Sequence, residues 1–74
     1  MTFHVQYDSS AHRFRIDAPG NVWQGECRTA AARERIEALL EKPYASARDV
    51  CDFIGAVERD ELGERNSLSH IHVH

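Results

Sequence analysis

Three of the five histidines alternate along the last residues of the chain, in the run Ser-Leu-Ser-His-Ile-His-Val-His that spans 67–74. Successive side chains of a β-strand point to opposite faces of the sheet. A strand here would carry imidazoles on one face and apolar side chains on the other: His70, His72 and His74 against Ile71 and Val73. The two apolar residues are β-branched, which suits a strand, and we consider both as partner-binding residues because edge pairing is a common mode of recognition.

The alternating histidines are also the densest set of metal-ligating side chains in the chain. Zinc and similar ions take three or four imidazole or carboxylate ligands, which alternate strand positions can supply. If the tail pairs beside the first strand, His4 joins the set on the same face. His70 and His72 are therefore candidate metal ligands, with terminal His74 the weakest. The competing interpretations are a solvated strand face and a pH-sensitive contact, because imidazole side chains in general titrate near neutrality.

Arg13 and Arg15 alternate with apolar residues and predict a charged face on one strand of a hairpin. The run 12–42 combines this hairpin with a glycine turn, the segment Gly-Glu-Cys-Arg-Thr and an Ala/Arg/Glu-rich helix. In outline it resembles the arm-type DNA-binding module of phage integrases, by shape and over about 30 residues. The resemblance implies that Arg13 and Arg15 lie on a sheet face that enters the major groove. This chain differs from that family by having no Lys/Arg-rich sheet, by Glu26 on the same face and by a second helix.

Four carboxylates cluster at the predicted end of the second helix, where they oppose the helix dipole: Glu58, Asp60, Glu61 and Glu64. The net charge is −3, and all of this excess lies in residues 43–74, because residues 1–42 carry six basic and six acidic side chains. An acidic second half disfavours broad phosphate binding and suits a basic partner. Glu58, Asp60 and Glu61 are therefore candidate partner-binding residues, against the alternative of a solvated helix end.

The spacing of apolar residues predicts one small α+β domain over residues 1–74, in the order β-β-β-α-α-β. A three-strand meander with a type II turn at Gly20 and a C-terminal strand would form an antiparallel sheet, with both helices packed on one face. Thr29 and Ser46 are the predicted helix N-caps, and Pro43 and Gly63 the predicted helix ends. The apolar side chains expected in the core are Phe3, Val5, Tyr7, Phe14, Ile16, Trp23, Ala32, Ile36, Leu39, Leu40, Val50, Phe53, Ile54 and Val57.

Cys27 and Cys51 stand 24 positions apart in no zinc or redox motif, so both are predicted to be buried, inert thiols. Gly55 lies inside the second helix, where glycine is less stable than alanine by roughly 1 kcal/mol. A close crossing with the other helix would explain why glycine is tolerated, so we predict a crossing there.

The chain shows no signal peptide and no apolar run near the ~20 residues of a membrane span. We therefore expect a cytoplasmic protein without a membrane partner.

The sequence offers no recognisable catalytic motif. It has no Gly-x-Ser-x-Gly, no phosphate-binding glycine loop and no His-Glu-x-x-His, and 74 residues leave little room for a deep cleft. We therefore expect a non-catalytic protein–protein interaction module, of the regulator, inhibitor or mobile-element accessory type, with no cofactor. Its partner would be another protein with a basic surface, or a second copy that pairs through the C-terminal strand. The alternatives, ranked lower, are a DNA-binding module that uses Arg13 and Arg15 and a metal-binding protein that uses His70 and His72.

Overall fold

The chain folds, as predicted, into a four-stranded antiparallel sheet with two helices packed on one face. A computed structural model describes residues 2–41 and 45–73. The elements are β1 (His4–Asp8), β2 (Arg13–Ala18), β3 (Asn21–Glu26), α1 (Ala30–Leu40), α2 (Ala47–Glu58) and β4 (Ser67–His72). The strands stand in the order β1-β2-β3-β4, so the C-terminal strand lies beside β3 at one edge of the sheet.

The cross-strand register separates the side chains of the sheet into two faces. The inner face, which the helices cover, carries Phe14 and Ile16, and both are buried. On this face Ile16 stands between Val5 and Trp23, because directly paired residues of antiparallel strands share a face. The outer face carries a mixed polar set that includes all the side chains predicted to lie there: His4, Gln6, Arg13, Arg15, Gln24 and Glu26.

Both helices begin at the predicted N-caps. Thr29 Oγ1 accepts a hydrogen bond from the Ala32 N–H at 3.2 Å, and Ser46 Oγ accepts one from the Asp49 N–H at 3.1 Å. These bonds satisfy backbone donors that the first turn of a helix leaves unpaired. The helices bury side chains at helical spacing: Ala32, Ile36 and Leu39 of α1, and Val50, Phe53, Ile54, Ala56 and Val57 of α2. Over the described residues, neither helix has the length and apolar character needed to cross a membrane.

Phe53 lies at the centre of the core. Its side chain is fully buried. Its ring meets Phe14 of β2 edge-to-face, with centroids 5.3 Å apart and planes at 82°. This geometry places the positive edge of one ring against the negative face of the other, which adds to the gain from burying both rings. The contact joins the middle of α2 to the middle of the sheet.

One buried polar side chain, Asn66, ties three segments together at the end of the sheet where β4 begins. Its Oδ1 accepts hydrogen bonds from the backbone N–H groups of Arg28 at 2.8 Å and Thr29 at 3.2 Å. Its Nδ2 donates to the carbonyls of Leu62 at 3.1 Å and Gly63 at 3.0 Å. The Thr29 hydroxyl donates to the Leu62 carbonyl as well. The segment that leads into β4 is thereby fixed to the start of α1.

Two glycines of the β2–β3–β4 region are required by geometry. Gly20 has φ +80°, the value that the second central position of the predicted type II turn needs. Gly25 does not have a positive φ, but it lies where β4 approaches β3 closely. A Cβ at this position would stand 1.9 Å from the Ser67 carbonyl oxygen and 2.8 Å from Phe14 Cε1. Gly25 therefore makes room for the backbone of the last strand.

The predicted end of the second helix at Gly63 is wrong. Helix α2 ends at Glu58, and Asp60 follows in the left-handed conformation with φ +56°. The N–H of Glu61 donates to the carbonyl of Ala56 at 2.9 Å, which closes a Schellman motif with Asp60 in the position usually taken by glycine. Aspartate tolerates this conformation better than most residues because its short polar side chain can bond locally.

Two side chains expected in the core lie at the surface instead. Leu40 is 43% exposed, because the buried stripe of α1 ends at Leu39. Cys51 is exposed because it lies on α2 beside the apolar stripe rather than within it, whereas Cys27 is fully buried. Both thiols are free.

Gly55 does not mark a helix crossing, which corrects the prediction for this residue. A Cβ there would stand 2.8 Å from Nη1 of Arg59, one turn further along the chain, so the glycine gives room to that guanidinium.

At the end of the first helix, Glu41 is the C-cap and its N–H donates to the carbonyl of Glu37 at 3.2 Å. Pro43, the predicted end of that helix, lies outside the described residues.

Replacing Phe53 with alanine should lower the free energy of unfolding by about 3–5 kcal/mol, because a fully buried ring is lost and a cavity remains. That approaches the entire stability expected for a core of this size, roughly 3–5 kcal/mol. Leu40→Ala is the matched control, and its half-exposed side chain should change stability by about 0.5 kcal/mol. Urea unfolding followed by circular dichroism measures both. Equal midpoints for the two variants would contradict the placement of Phe53.

The two thiols should differ in reactivity and in their effect on stability. Burial raises the pKa of the Cys27 thiol to about 11, so the folded chain holds this proton more tightly than the unfolded chain, where a thiol has a pKa of about 8.5. The resulting stability should be complete below about pH 8.5 and fall as the pH rises toward 11. A thiol reagent at pH 8 should label Cys51 alone in the folded chain and both cysteines in urea. Mass spectrometry of the alkylated chain and urea unfolding between pH 7 and 11 check this, and rapid labelling of folded Cys27 would contradict it.

Candidate functional site

The C-terminal strand forms one edge of the sheet. β4 pairs antiparallel with β3 over its whole length, from Ser67 opposite Glu26 to His72 opposite Asn21. This confirms the prediction that the tail is a strand that closes the sheet on one side. Within residues 2–41 and 45–73, no further strand pairs with the other side of β4. That side, over residues 67–73, is called the β4 edge below.

The β4 edge presents backbone hydrogen-bonding groups. The Val73 N–H donates to the Gly20 carbonyl at 2.9 Å, which extends the ladder between β3 and β4 by one residue. Residues along one strand of an antiparallel pair alternate between facing their neighbour and facing away. Counting back from Val73, the N–H and C=O groups of Leu68, His70 and His72 therefore point away from β3, toward the open side.

The β4 edge lacks the usual devices that prevent pairing with another strand. Natural sheets protect an exposed edge with lysine and other charges, proline, a bulge or a very short strand. Residues 67–73 include no Asp, Glu, Lys, Arg or Pro. The strand is six residues long and its register with β3 is continuous. This edge is therefore competent to add a further strand.

The two apolar residues of the tail lie on the outer face and are open to solvent. Ile71 is 48% exposed and Val73 is 51% exposed. Ile71 pairs with Val22, which is buried even though it shares this face. Together these three side chains make a small apolar patch at the β3–β4 side of an otherwise polar face. The structure thus places Ile71 and Val73, both predicted partner-binding residues, where another chain could contact them.

The two described histidines of the tail lie on the opposite, inner face, at the end of the sheet that the helices leave exposed. The His70 ring stacks on Trp23, with centroids 4.8 Å apart and planes at 9°. His70 Nε2 is 2.8 Å from Asn21 Oδ1, and the rings of His70 and His72 are 4.4 Å apart. Asn21 and Trp23 were not identified from the sequence as neighbours of the histidines, because the sequence left open which strand the tail would join.

The condition under which His4 would join the tail histidines, pairing of the tail with the first strand, is not met. His4 lies on β1, at the other edge of the sheet and on the outer face, because the tail pairs with β3 and not with β1. His74 lies outside the described residues. In the described part of the chain, no group of three or more His, Cys, Asp or Glu side chains is placed to hold a metal ion. Within residues 2–41 and 45–73, one chain therefore brings together two imidazoles, His70 and His72, without a third ligand.

The arginines of the outer face are matched by carboxylates. Arg15 donates from Nε to both oxygens of Asp17 at 3.0 and 3.1 Å, and from Nη2 at 3.0 Å. Arg13 stands directly between Asp8 on β1 and Glu26 on β3. The face forms a shallow concavity of about 580 Å³ above these residues. Its charges alternate in sign, whereas a DNA-binding sheet needs a continuous positive surface.

The acidic end of α2 lies apart from the apolar patch. Glu58, Asp60 and Glu61 are all exposed. Glu61 accepts a hydrogen bond from the guanidinium of Arg59, so the cluster is partly neutralised by its own helix. The cluster precedes the start of β4, and Ile71 is near its far end. The structure therefore separates the two sets of predicted partner-binding residues into two surfaces.

We expect no tight, sequence-specific binding to duplex DNA at physiological salt, because Arg15 is already paired with Asp17, whose carboxylate would repel a phosphate at that position. Fluorescence anisotropy with a labelled duplex pool, measured at several salt concentrations, tests this. A DNA-binding module loses affinity steeply as salt rises, because bound phosphates release counterions. A nanomolar affinity with such a slope, abolished by the double substitution Arg13→Ala and Arg15→Ala, would contradict the prediction.

Comparisons with known proteins assign the chain to no family. No protein-family model, no curated protein and no solved structure matches it. What the chain does must therefore be inferred from its own surfaces, of which the β4 edge is the most distinctive.

Proposed function

We propose that the chain is a small, non-catalytic protein–protein interaction module whose contact element is the β4 edge and whose partner is a second copy of itself. The observation that supports this is an open strand edge without charge or proline, flanked by the exposed apolar side chains Ile71 and Val73. A strand added here would gain main-chain hydrogen bonds and cover apolar surface, which is the general mode of strand addition.

The charge pattern of the edge favours an identical strand as the partner. Residues 67–73 carry no charged Asp, Glu, Lys or Arg side chain, so two copies can approach without repulsion between such groups. On the outer face two serines are followed by two apolar residues, in the order Ser67, Ser69, Ile71 and Val73. Two such strands, run antiparallel about a two-fold axis, form an isologous contact in which the same patch serves both copies.

The register centred on Ile71 pairs the outward backbone N–H and C=O groups of β4 and also brings its exposed apolar side chains into contact. It places Ile71 opposite Ile71 of the second copy on the outer face, with each Val73 opposite Ser69 of the other chain. The outward backbone groups of His70 then bond to those of His72 in the second copy, and the reverse pair repeats the contact. Both pairs use groups that point away from β3, so the ladder within each chain is kept. The result is a continuous eight-stranded sheet.

Several further observations support a binding role in the cytoplasm. Among the described residues, the outer face offers a shallow concavity with charges of both signs, which extends to Ser67 and Ser69 of β4. Both thiols are free, which suits a reducing compartment. The acidic residues Glu58, Asp60 and Glu61 lie outside the proposed contact and stay available to a second, basic partner.

The dimer should be detected by sedimentation velocity between roughly 10 μM and 1 mM protein, because a contact smaller than a standard interface gives weak association. Ile71→Lys places a charge at the centre of the contact and should weaken the dimer at least about tenfold, equivalent to ~1.4 kcal/mol. Leu40→Lys is the matched control, because Leu40 is also apolar and half exposed but lies on α1. This control should leave the dimer constant unchanged.

A chain that stays monomeric up to about 1 mM, in the weak end of the measurable range, would overturn the proposal. Equal weakening by Ile71→Lys and Leu40→Lys would do so too, because it would place the contact elsewhere. Thermal melting of each variant at a concentration where it is monomeric shows whether its fold is intact. Loss of association in a folded Ile71→Lys chain is the supporting result.

A further inference from the structure

We infer that the β4 edge is half of a transition-metal site, in which His70 and His72 of one chain and the same residues of a second copy bind one zinc-type ion. This inference deepens the proposed function and rests on it for the pairing of two β4 edges. The metal would bridge the two copies and strengthen their association.

The pairing that aligns the exposed isoleucines also gathers the imidazoles. With Ile71 at the two-fold axis, His70 stands opposite His72 of the second copy, and His72 opposite the second His70. Directly opposed residues of antiparallel strands have Cβ atoms about 5 Å apart, and alternate residues along one strand repeat at about 7 Å. The Cβ atoms of four histidines therefore occupy the corners of one small rectangle on the inner face, within reach of a common metal ion. Their rings are solvent-exposed in each chain, and those of His70 and His72 already lie 4.4 Å apart.

The neighbours of His70 prepare it for ligation. Asn21 Oδ1 is 2.8 Å from Nε2. With the amide oxygen as acceptor, Nε2 carries the proton and donates, which leaves Nδ1 with the lone pair that a metal needs. Metal-bound histidines usually donate their other ring N–H to such an oxygen, which fixes the tautomer and the ring. Stacking on Trp23 holds the same ring from one side.

The donor set selects the chemical class of the ion. Imidazole nitrogen suits zinc and its neighbours copper, nickel and cobalt, and it is a poor ligand for magnesium or calcium, which prefer oxygen. Zinc takes four ligands in tetrahedral geometry. One chain supplies two of the four from its described residues, so the second copy completes the site.

The experiment uses the His74→Gln chain, so that His70 and His72 are the only tail ligands. Zinc is added to the metal-free protein, and sedimentation velocity measures association while calorimetry measures stoichiometry. We expect one zinc per two chains, and a dimer at least about tenfold tighter, reversed by EDTA. The further substitutions His70→Gln and His72→Gln should abolish the zinc effect and keep the metal-free dimer. His4→Gln, on the other face and the other edge, is the matched control and should keep the zinc effect. Far-ultraviolet circular dichroism checks that each variant is folded.

The other possible outcomes of the zinc experiment also distinguish the shared metal site from the metal-free contact. One zinc per chain without tighter association, no zinc binding, or a zinc effect that survives in the double glutamine variant would overturn the shared site. A metal-free dimer that zinc does not tighten would overturn the inference and leave the proposed function standing. Dimerisation only with zinc, lost in the double variant, would support the metal site and overturn the metal-free contact.

Discussion

The network around Asn66 is the interaction on which the rest of this structure depends. A 74-residue chain has a small core, and its last strand must be attached to a sheet built by the first third of the sequence. Asn66 does this by satisfying two backbone donors at the start of α1 and two carbonyls in the loop after α2. Its amide uses both of its ends, so few other residues could replace it. A buried polar group so fully bonded fixes geometry, whereas a partly bonded one would destabilise the fold.

The fixed entry of β4 determines which surface the chain offers. The side chain of Leu68 packs against the core, and the residues after it extend past the helices. Because successive side chains of a strand point to opposite faces, the two faces of the sheet carry different types of side chain along β4. Imidazoles stand beside Trp23 on the inner face, and aliphatic groups stand beside Val22 on the outer face. One strand at one edge of the sheet thus carries outward backbone hydrogen-bonding groups, apolar side chains and imidazoles together.

Much of this fold follows from local sequence, and the site follows only in part. Alternation predicted β1, β2 and β4, and the turn at Gly20 implied β3. Thr29 and Ser46 marked the starts of both helices. Each of these signals depends on residues within a few positions. The end of α2 was missed because Asp60 fills a position that sequence patterns assign to glycine. The tail's apolar and histidine faces were separated correctly, but their neighbours depended on whether β4 joined β1 or β3. That choice is set by long-range contacts at Asn66 and Gly25, which no local pattern encodes.

The placement of β4 also has a consequence for the order in which the chain can fold. β1, β2 and β3 are joined by short turns, so their pairing closes only small loops. The loss of chain entropy on forming these pairs is therefore small. β4 meets β3 across about forty intervening residues that include both helices. Contacts of such high sequence separation are costly to form early, so this pairing belongs to the late stages of folding. A nascent or partly folded chain therefore has no completed β4 edge, and the proposed contact surface forms only when the whole domain has folded.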